Sequence, residues 1–251
     1  MDVRGEACTV EYRLAKRELQ RRDSTLSSND HDVASILAAS GNHQGPYERI
    51  RDAILNGTLA PGTPLVESTM AQWFGVSRTP VREGLMRLEQ DGLVSRSDRG
   101  IVVRTRSPEE ILDIYEVRIV LEARAASTAA LRHVAFDEIR LEQRCRAAEE
   151  ADPNDEKLLA QVNREFHRAV WIASHNESLV DLLNRLNLHL VRYPATTLAF
   201  EDRWERALRQ HRALVESIIR RDAEKAAQIA QDHFEEARNI RLALWEAGFE
   251  P

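Results

Sequence analysis

Between Ile101 and Ala247 the chain contains no glycine. Three prolines, Pro108, Pro153 and Pro194, are the only other strong breakers in that stretch. A segment so poor in turn-formers has few ways to reverse direction tightly, so the pattern predicts long helices packed as a bundle. Ser107-Pro108-Glu109-Glu110 combines a capping box with proline at the first helical position and marks where the bundle begins. Apolar periodicity then places about six helices near 108–132, 136–150, 155–175, 177–192, 201–220 and 222–247. Breaks are expected at Pro153, His175-Asn176, Tyr193-Pro194 and Arg221-Asp222. No repeat of 20–50 residues is visible.

Six of the ten glycines instead fall within residues 46–106. That segment reads as helix, helix, helix, hairpin. Ile50 and Ile54 edge the first helix, and Gly57 stops it. Ala60-Pro61-Gly62-Thr63-Pro64 reads as a turn-rich loop. Met70, Ala71 and Phe74 give the second helix, Glu67 to Phe74, one apolar side. Gly75-Val76 turns the chain. Ser77 can cap the third helix, with Thr79 before Pro80 as the rival cap. Val81, Leu85 and Leu88 form its apolar stripe. Leu93–Arg96 and Ile101–Arg104 can pair around Ser97-Asp98-Arg99-Gly100. Residues 1–45 read as an N-terminal extension, partly disordered or helical, without an assigned role. The expected fold class is therefore mainly α: an N-terminal winged helix-turn-helix with a small β-hairpin wing, then a C-terminal all-α bundle.

Charge follows the same division. The whole chain carries −6. Residues 46–106 hold nine basic and seven acidic side chains, and they are the only positive segment; residues 107–251 hold 20 and 27. A helix-turn-helix enters the major groove with the first residues of its second helix. Here those are Ser77, Arg78, Thr79, Pro80, Val81, Arg82 and Glu83. Arg78 and Arg82 are i, i+4 neighbours beside the apolar stripe, and each guanidinium fork can hold a guanine edge or a phosphate with two hydrogen bonds. Ser77 and Thr79 lie where free backbone N–H groups can meet a phosphate. Arg99-Gly100 at the hairpin tip can approach the minor groove. A small helical domain with solvated arginines is the plain alternative. The ordered set Pro61-Gly62, Leu65, Glu67, Gly75 to Glu83, Leu85, Leu88, Asp91 to Val94 and Gly100 resembles the winged helix-turn-helix of the GntR family of bacterial transcription regulators. The resemblance implies DNA contacts at Glu67, Ser68, Ser77, Arg78, Thr79, Pro80, Arg82, Arg99 and Gly100.

In the bundle, polar residues interrupt apolar stripes. His211 stands between Leu208 and Val215. His233 stands between Ile229 and Ala237. Arg118 stands between Ile114 and Leu121. At i, i+3/i+4 spacing each should face the interior, where a histidine needs a partner and an arginine needs an anion. Asn163 and His167 are i, i+4 beside the Leu159, Val162, Phe166 stripe. Together Asn163, His167, His211 and His233 can offer one oxygen and three imidazole nitrogens to zinc, nickel or manganese. For one histidine alone, a hydrogen-bonded core role is the better reading; three inward histidines shift the balance to a divalent metal, zinc first. The run Glu110 to Arg118, Leu121-Glu122, Asn163 to His167, His211 and His233 resembles the FCD ligand-binding domain of the FadR subfamily. That resemblance implies a metal on Asn163, His167, His211 and His233, with a small carboxylate effector above it, gripped by Arg118 with Glu122 nearby. Asn163 stands where aspartate is frequent, and a neutral amide oxygen is a weaker ligand for a dication.

These readings converge on a ligand-responsive repressor, not an enzyme, that binds a pseudo-palindromic double-stranded DNA operator as a homodimer. Two alternatives remain. One is a metal-dependent hydrolase with a DNA-binding head; no carboxylate is clearly placed as its general base, Glu165 and Glu122 being only candidates. The other is a metal-free regulator with a structural bundle. No apolar run nears the roughly 20 residues of a membrane-spanning helix, and no secretory signal pattern opens the chain, so a cytoplasmic location without membrane is expected. Cys8 and Cys145 lack metal or redox spacing and are expected to be reduced thiols.

Overall fold

The computed structural model describes residues 44–98, 100–190, 195–198, 200 and 202–246. The expectations for residues 1–43, for Arg99 and for the Tyr193-Pro194 break lie outside the described residues. The described residues divide into two compact units: one holds residues 44–90 and Val94–Val103, the other Asp91–Leu93 and the described residues from Arg104 to Glu246.

In the first unit, α1 (Pro46–Leu55) starts on a proline and buries Ile50, Ala53 and Ile54. The second helix, α2 (Glu67–Phe74), ends on Gly75, whose φ of 66° puts it in the left-handed region that glycine enters without steric cost. The third, α3 (Arg78–Gln90), fully buries Val81, Leu85 and Leu88. Its start at Arg78 leaves Ser77 in the position before the first turn. Gly84 lies against α1: a Cβ there would stand 3.0 Å from the Tyr47 backbone nitrogen.

The wing is the antiparallel pair β1 (Val94–Ser97) and β2 (Gly100–Val103), in register Val94 to Val103 and Ser97 to Gly100. Ser97 and Gly100, expected in the loop, are the last pair of the ladder, so each strand runs one residue closer to the tip than expected. Gly100 at φ 95° permits the close turn, and the Ser97 hydroxyl donates across it to the Gly100 carbonyl at 3.2 Å. The stretch expected to be only a loop also pairs with the wing. Gly62 donates to Val103, Val103 to Thr63 and Leu65 to Ile101, at 2.8–2.9 Å. Pro64 sits among these donors at a place where no N–H is required.

The second unit contains α4 (Pro108–Arg132), α5 (Ala135–Glu149), α6 (Glu156–Ala173), α7 (Glu177–Leu190), α8 (Ala195–Leu198), α9 (Arg203–Ile219) and α10 (Ala223–Glu246). The Ser107–Glu110 capping box opens α4 as expected. The short α8 was not anticipated. The reversals use non-glycine residues: His175, Asp202 and Arg221 all have φ between 47° and 59°. Two of these corners carry ties that glycine could not make. His175 Nε2 lies 2.7 Å from Asp137, and Arg221 donates to the Leu131 and His133 carbonyls. The central core is alanine-rich. Ala126, Ala129, Ala130, Ala169, Ala173, Ala226 and Ala230 let five helices close together around Leu141, Phe166, Val170, Leu214, Val215 and Ile218. Cys145 is buried among them, and burial pushes its thiol up to about 12, leaving it unreactive. Among the described residues, no helix is long and apolar enough to cross a membrane.

Candidate functional site

On the head, Ser68, Ser77, Arg78, Thr79, Arg82 and Gly100 are exposed, and Glu67 and Pro80 are half-buried. The N-terminal turn of α3 thus offers a hydroxyl-bearing start followed by two arginines one turn apart. Arg82 is already engaged. Its Nε and Nη2 donate to both Glu67 oxygens at 2.9–3.2 Å, so the start of α2 fixes the direction of a side chain on α3. This pair holds the Glu67 carboxyl below its usual range. Glu67, expected among the groups that face DNA, is therefore occupied in orienting Arg82. A carboxylate so placed has no attraction for phosphate.

In the bundle, α6, α9 and α10 each deliver one histidine to a common point. His167, His211 and His233 are 3%, 1% and 5% exposed. Their ring centroids form a triangle with every side 5.0 Å, and one nitrogen from each lies within 4.8 Å of the others. Phe166 stacks on the His211 ring at 3.9 Å and fixes its plane. Burial lowers the basicity of all three. His211 falls to about 3 through desolvation and the nearby Arg203, and His167 and His233 fall well below the ordinary histidine value, mainly from burial. The rings are therefore neutral at pH 7 and present lone pairs, the form a metal requires. His167 Nε2, both His211 nitrogens and Asn163 Oδ1 are buried without a hydrogen-bond partner. Orphaned buried acceptors are costly. A neutral imidazole keeps one acceptor nitrogen, so at most three are orphaned, one each from His167, His211 and Asn163; a divalent cation held by the histidine triad would satisfy them, so the residues fit such a group.

The third ring is set by a residue that the sequence reading missed. Gln210 Oε1 accepts from Arg203 Nη1 at 3.0 Å, and Gln210 Nε2 donates to Glu236 at 3.0 Å. Arginine only donates and carboxylate only accepts, so the amide has one possible orientation. His233 Nδ1 lies 2.7 Å from that same Oε1 and must donate to it. The proton is thereby fixed on Nδ1, and the Nε2 lone pair remains for a ligand. The signal was present in the sequence only as adjacency to His211, which does not reveal the partner helix.

A cavity of about 80 Å³ adjoins the histidines, lined in part by Asn163, His167, His233, Arg118 and Trp171. Arg118 is buried on α4. Its Nε donates to Glu122 at 3.1 Å, and its guanidinium sits 4.5 Å from the Phe234 ring centre. The second Glu122 oxygen accepts from Trp171 Nε1 at 2.6 Å. Glu122, expected to touch effector, instead stands behind Arg118 with both oxygens used, and it is not part of the cavity wall. Burial pushes its carboxyl up, against the pull of Arg118 and Trp171. Glu165, the other candidate base, bonds Arg144 and Gln161 on an exposed side. No described acidic residue lines the cavity.

Comparison with known proteins bears on both units. Residues 44–103 match the bacterial regulatory proteins of the gntR family, and residues 113–236 match the FCD domain. The uncharacterized HTH-type transcriptional regulator YdhC of Bacillus subtilis (strain 168) is 32% identical over 193 residues, covering 75% of this chain and 85% of its own. The chain belongs to the GntR family. Its FCD domain fits the FadR-like branch, and the protein is a transcription regulator rather than an enzyme. A GntR relative, the HTH-type transcriptional repressor RspR of Escherichia coli (strain K12), is 27% identical over 198 residues, 77% of this chain and 86% of its own. The solved structure of E. coli McbR/YncC has the same fold, with a TM-score of 0.66 at 20% identity over 80% of this chain and 96% of that one. In this GntR protein the head supplies DNA-binding chemistry, and the FCD bundle supplies a buried histidine triad beside a cationic cavity.

Proposed function

We propose that this GntR regulator is a cytoplasmic repressor that binds a pseudo-palindromic operator as a homodimer. A small carboxylate in the FCD cavity alters its DNA occupancy. The observation that carries the sensing half is the meeting of His167, His211 and His233, with unmet buried acceptors among them and on Asn163 of the adjoining cavity wall, beside the buried Arg118. A divalent metal, zinc by donor type, would be held by that set and would supply a Lewis-acid site for one carboxylate oxygen. Arg118, aimed by Glu122 and Phe234, keeps terminal amino groups for the same acid. On the head, Arg78 and Arg82 on α3, with Ser77 and Thr79 at its start, would read the major groove. Ser68, Arg99 and Gly100 would add backbone contacts. Two heads on a two-fold axis would match two half-sites. The acid changes occupancy only to the extent that it binds DNA-competent and DNA-incompetent states unequally.

Two substitutions separate the halves. Arg78→Ala is expected to weaken operator binding by about 10–100-fold, the usual cost of a guanine contact, while carboxylate binding is kept. His211→Ala is expected to lower bound metal and the response to acid while operator binding survives. Metal analysis and fluorescence anisotropy on operator DNA read both. Equal metal content in parent and His211→Ala would remove the metal from this reading.

A further inference from the structure

We propose that Glu67 is a positioning residue for DNA recognition: it turns Arg82 into a reader of guanine and denies that side chain to phosphate. This rests on the reading that the start of α3 enters the major groove.

The carboxylate comes from the first residue of α2 and the guanidinium from the fifth residue of α3, so the pair spans the helix-turn-helix. Arg82 Nε and Nη2 donate to the two Glu67 oxygens at 2.9–3.2 Å. A guanidinium has five N–H groups in a rigid planar fork. Glu67 takes the side-on edge, Nε with one hydrogen of Nη2. The edge made by Nη1 and Nη2 stays open and points along the side chain, away from Glu67. That edge matches the O6 and N7 acceptors of guanine, which stand side by side in the major groove. In shape it matches two phosphate oxygens equally well.

Charge decides between the two. A guanine edge is neutral. A phosphate on the open edge would lie only a guanidinium's width from the Glu67 carboxylate, which Arg82 and the nearby Arg78 favour in its ionised form. Like charges at that range repel, and the Glu67–Arg82 pair carries no net charge to draw an anion in. Arg78, one turn earlier on α3, is exposed and makes no such bond among the described residues. The two arginines at the start of α3 therefore differ in kind, although residue type and spacing make them look equivalent.

Two plainer roles for Glu67 are a staple between α2 and α3 and a negative charge at the start of α2, where Val66 supplies no side-chain cap. An exposed ion pair adds little stability. Both plainer roles act on the folding of the head, so both would alter binding to every DNA sequence alike.

The test is fluorescence anisotropy with the full chain on two duplexes, one enriched by the parent protein from a randomised library and one of shuffled sequence. Glu67→Gln keeps an acceptor for Arg82 but removes the charge. The expected result is a specificity ratio lower by about tenfold, with tighter binding to the shuffled duplex and a log–log salt slope there steeper by about one, because the released Arg82 then meets a phosphate. In an Arg82→Ala background, Glu67→Gln should leave the ratio unchanged, since Glu67 acts through Arg82. The proposal is overturned if Glu67→Gln leaves the ratio unchanged in the parent, weakens both duplexes equally, or still changes the ratio without Arg82. If Arg82→Ala binds both duplexes as the parent does, the placing of Arg82 in the groove falls, and the role of Glu67 with it.

Discussion

A single amide sets the donor face of one histidine. Gln210 is locked between the Arg203 cation and the Glu236 carboxylate, so it can only accept from His233 Nδ1. Gln210→Ala should therefore lower metal affinity by about 10–100-fold, the usual cost of losing an outer partner of a ligand histidine. Competition against a chromophoric chelator measures this, and an unchanged affinity would mean that the amide is only a packing element. The inward placement of His211, His233 and Arg118 was legible beforehand because each interrupts an apolar stripe at helical spacing, and that of His167 because it stands beside one. Gln210 and Glu236 were not, since exposed-looking polar residues on two helices say nothing about one another until the helices are paired. Glu122 and Glu67 have partners that the resemblance did not indicate. Both were placed by resemblance at the ligand and the DNA, yet each carboxylate is held by a neighbouring arginine, Arg118 and Arg82 respectively.

At the scale of elements, helix starts were read best where capping chemistry is local. Ser107 with Glu110 fixed the start of α4 to the residue. The corners at His175 and Arg221 fall where breaks were expected, while the one at Asp202 was not anticipated; all three are left-handed positions that composition would assign to glycine. A left-handed L-residue costs roughly 1–2 kcal/mol; at two of the corners, the ties to Asp137 and to the α4 carboxyl end offset part of that cost. The pairing of Gly62–Leu65 with β2 was invisible for a different reason. Two prolines dominate that stretch and mask the donors between and beside them. Close approach of α1 and α3 depends on Gly84. Gly84→Ala puts a methyl group 3.0 Å from the Tyr47 backbone nitrogen and should destabilise the head by about 1–3 kcal/mol. Calorimetry should show the head unfolding earlier and operator affinity falling, with carboxylate binding by the bundle unchanged.

For the whole molecule, the buried neutral histidines make stability depend on pH. His211 moves from 6.5 to about 3 on folding, and His167 and His233 move in the same direction. Below pH 6.5 the unfolded chain therefore takes up protons that the folded bundle refuses. The metal-free protein should lose stability as pH falls, by up to about 1.4 kcal/mol per histidine per pH unit. Urea unfolding at pH 7.5 and 5.5 after chelation measures the slope, and His211→Phe should make it shallower. A flat profile in the parent would mean that the triad is hydrated.

Arg203 belongs to two circuits at once: its Nη groups hold the Gln210–His233 pair, while its unpartnered Nε belongs to the cavity wall. Metal and acid are then two corners of one thermodynamic square. Whatever factor the metal adds to acid affinity, the acid must return to the metal. On the proposed reading, depletion of the metal would weaken the response to acid, and a surplus of acid would tighten metal binding.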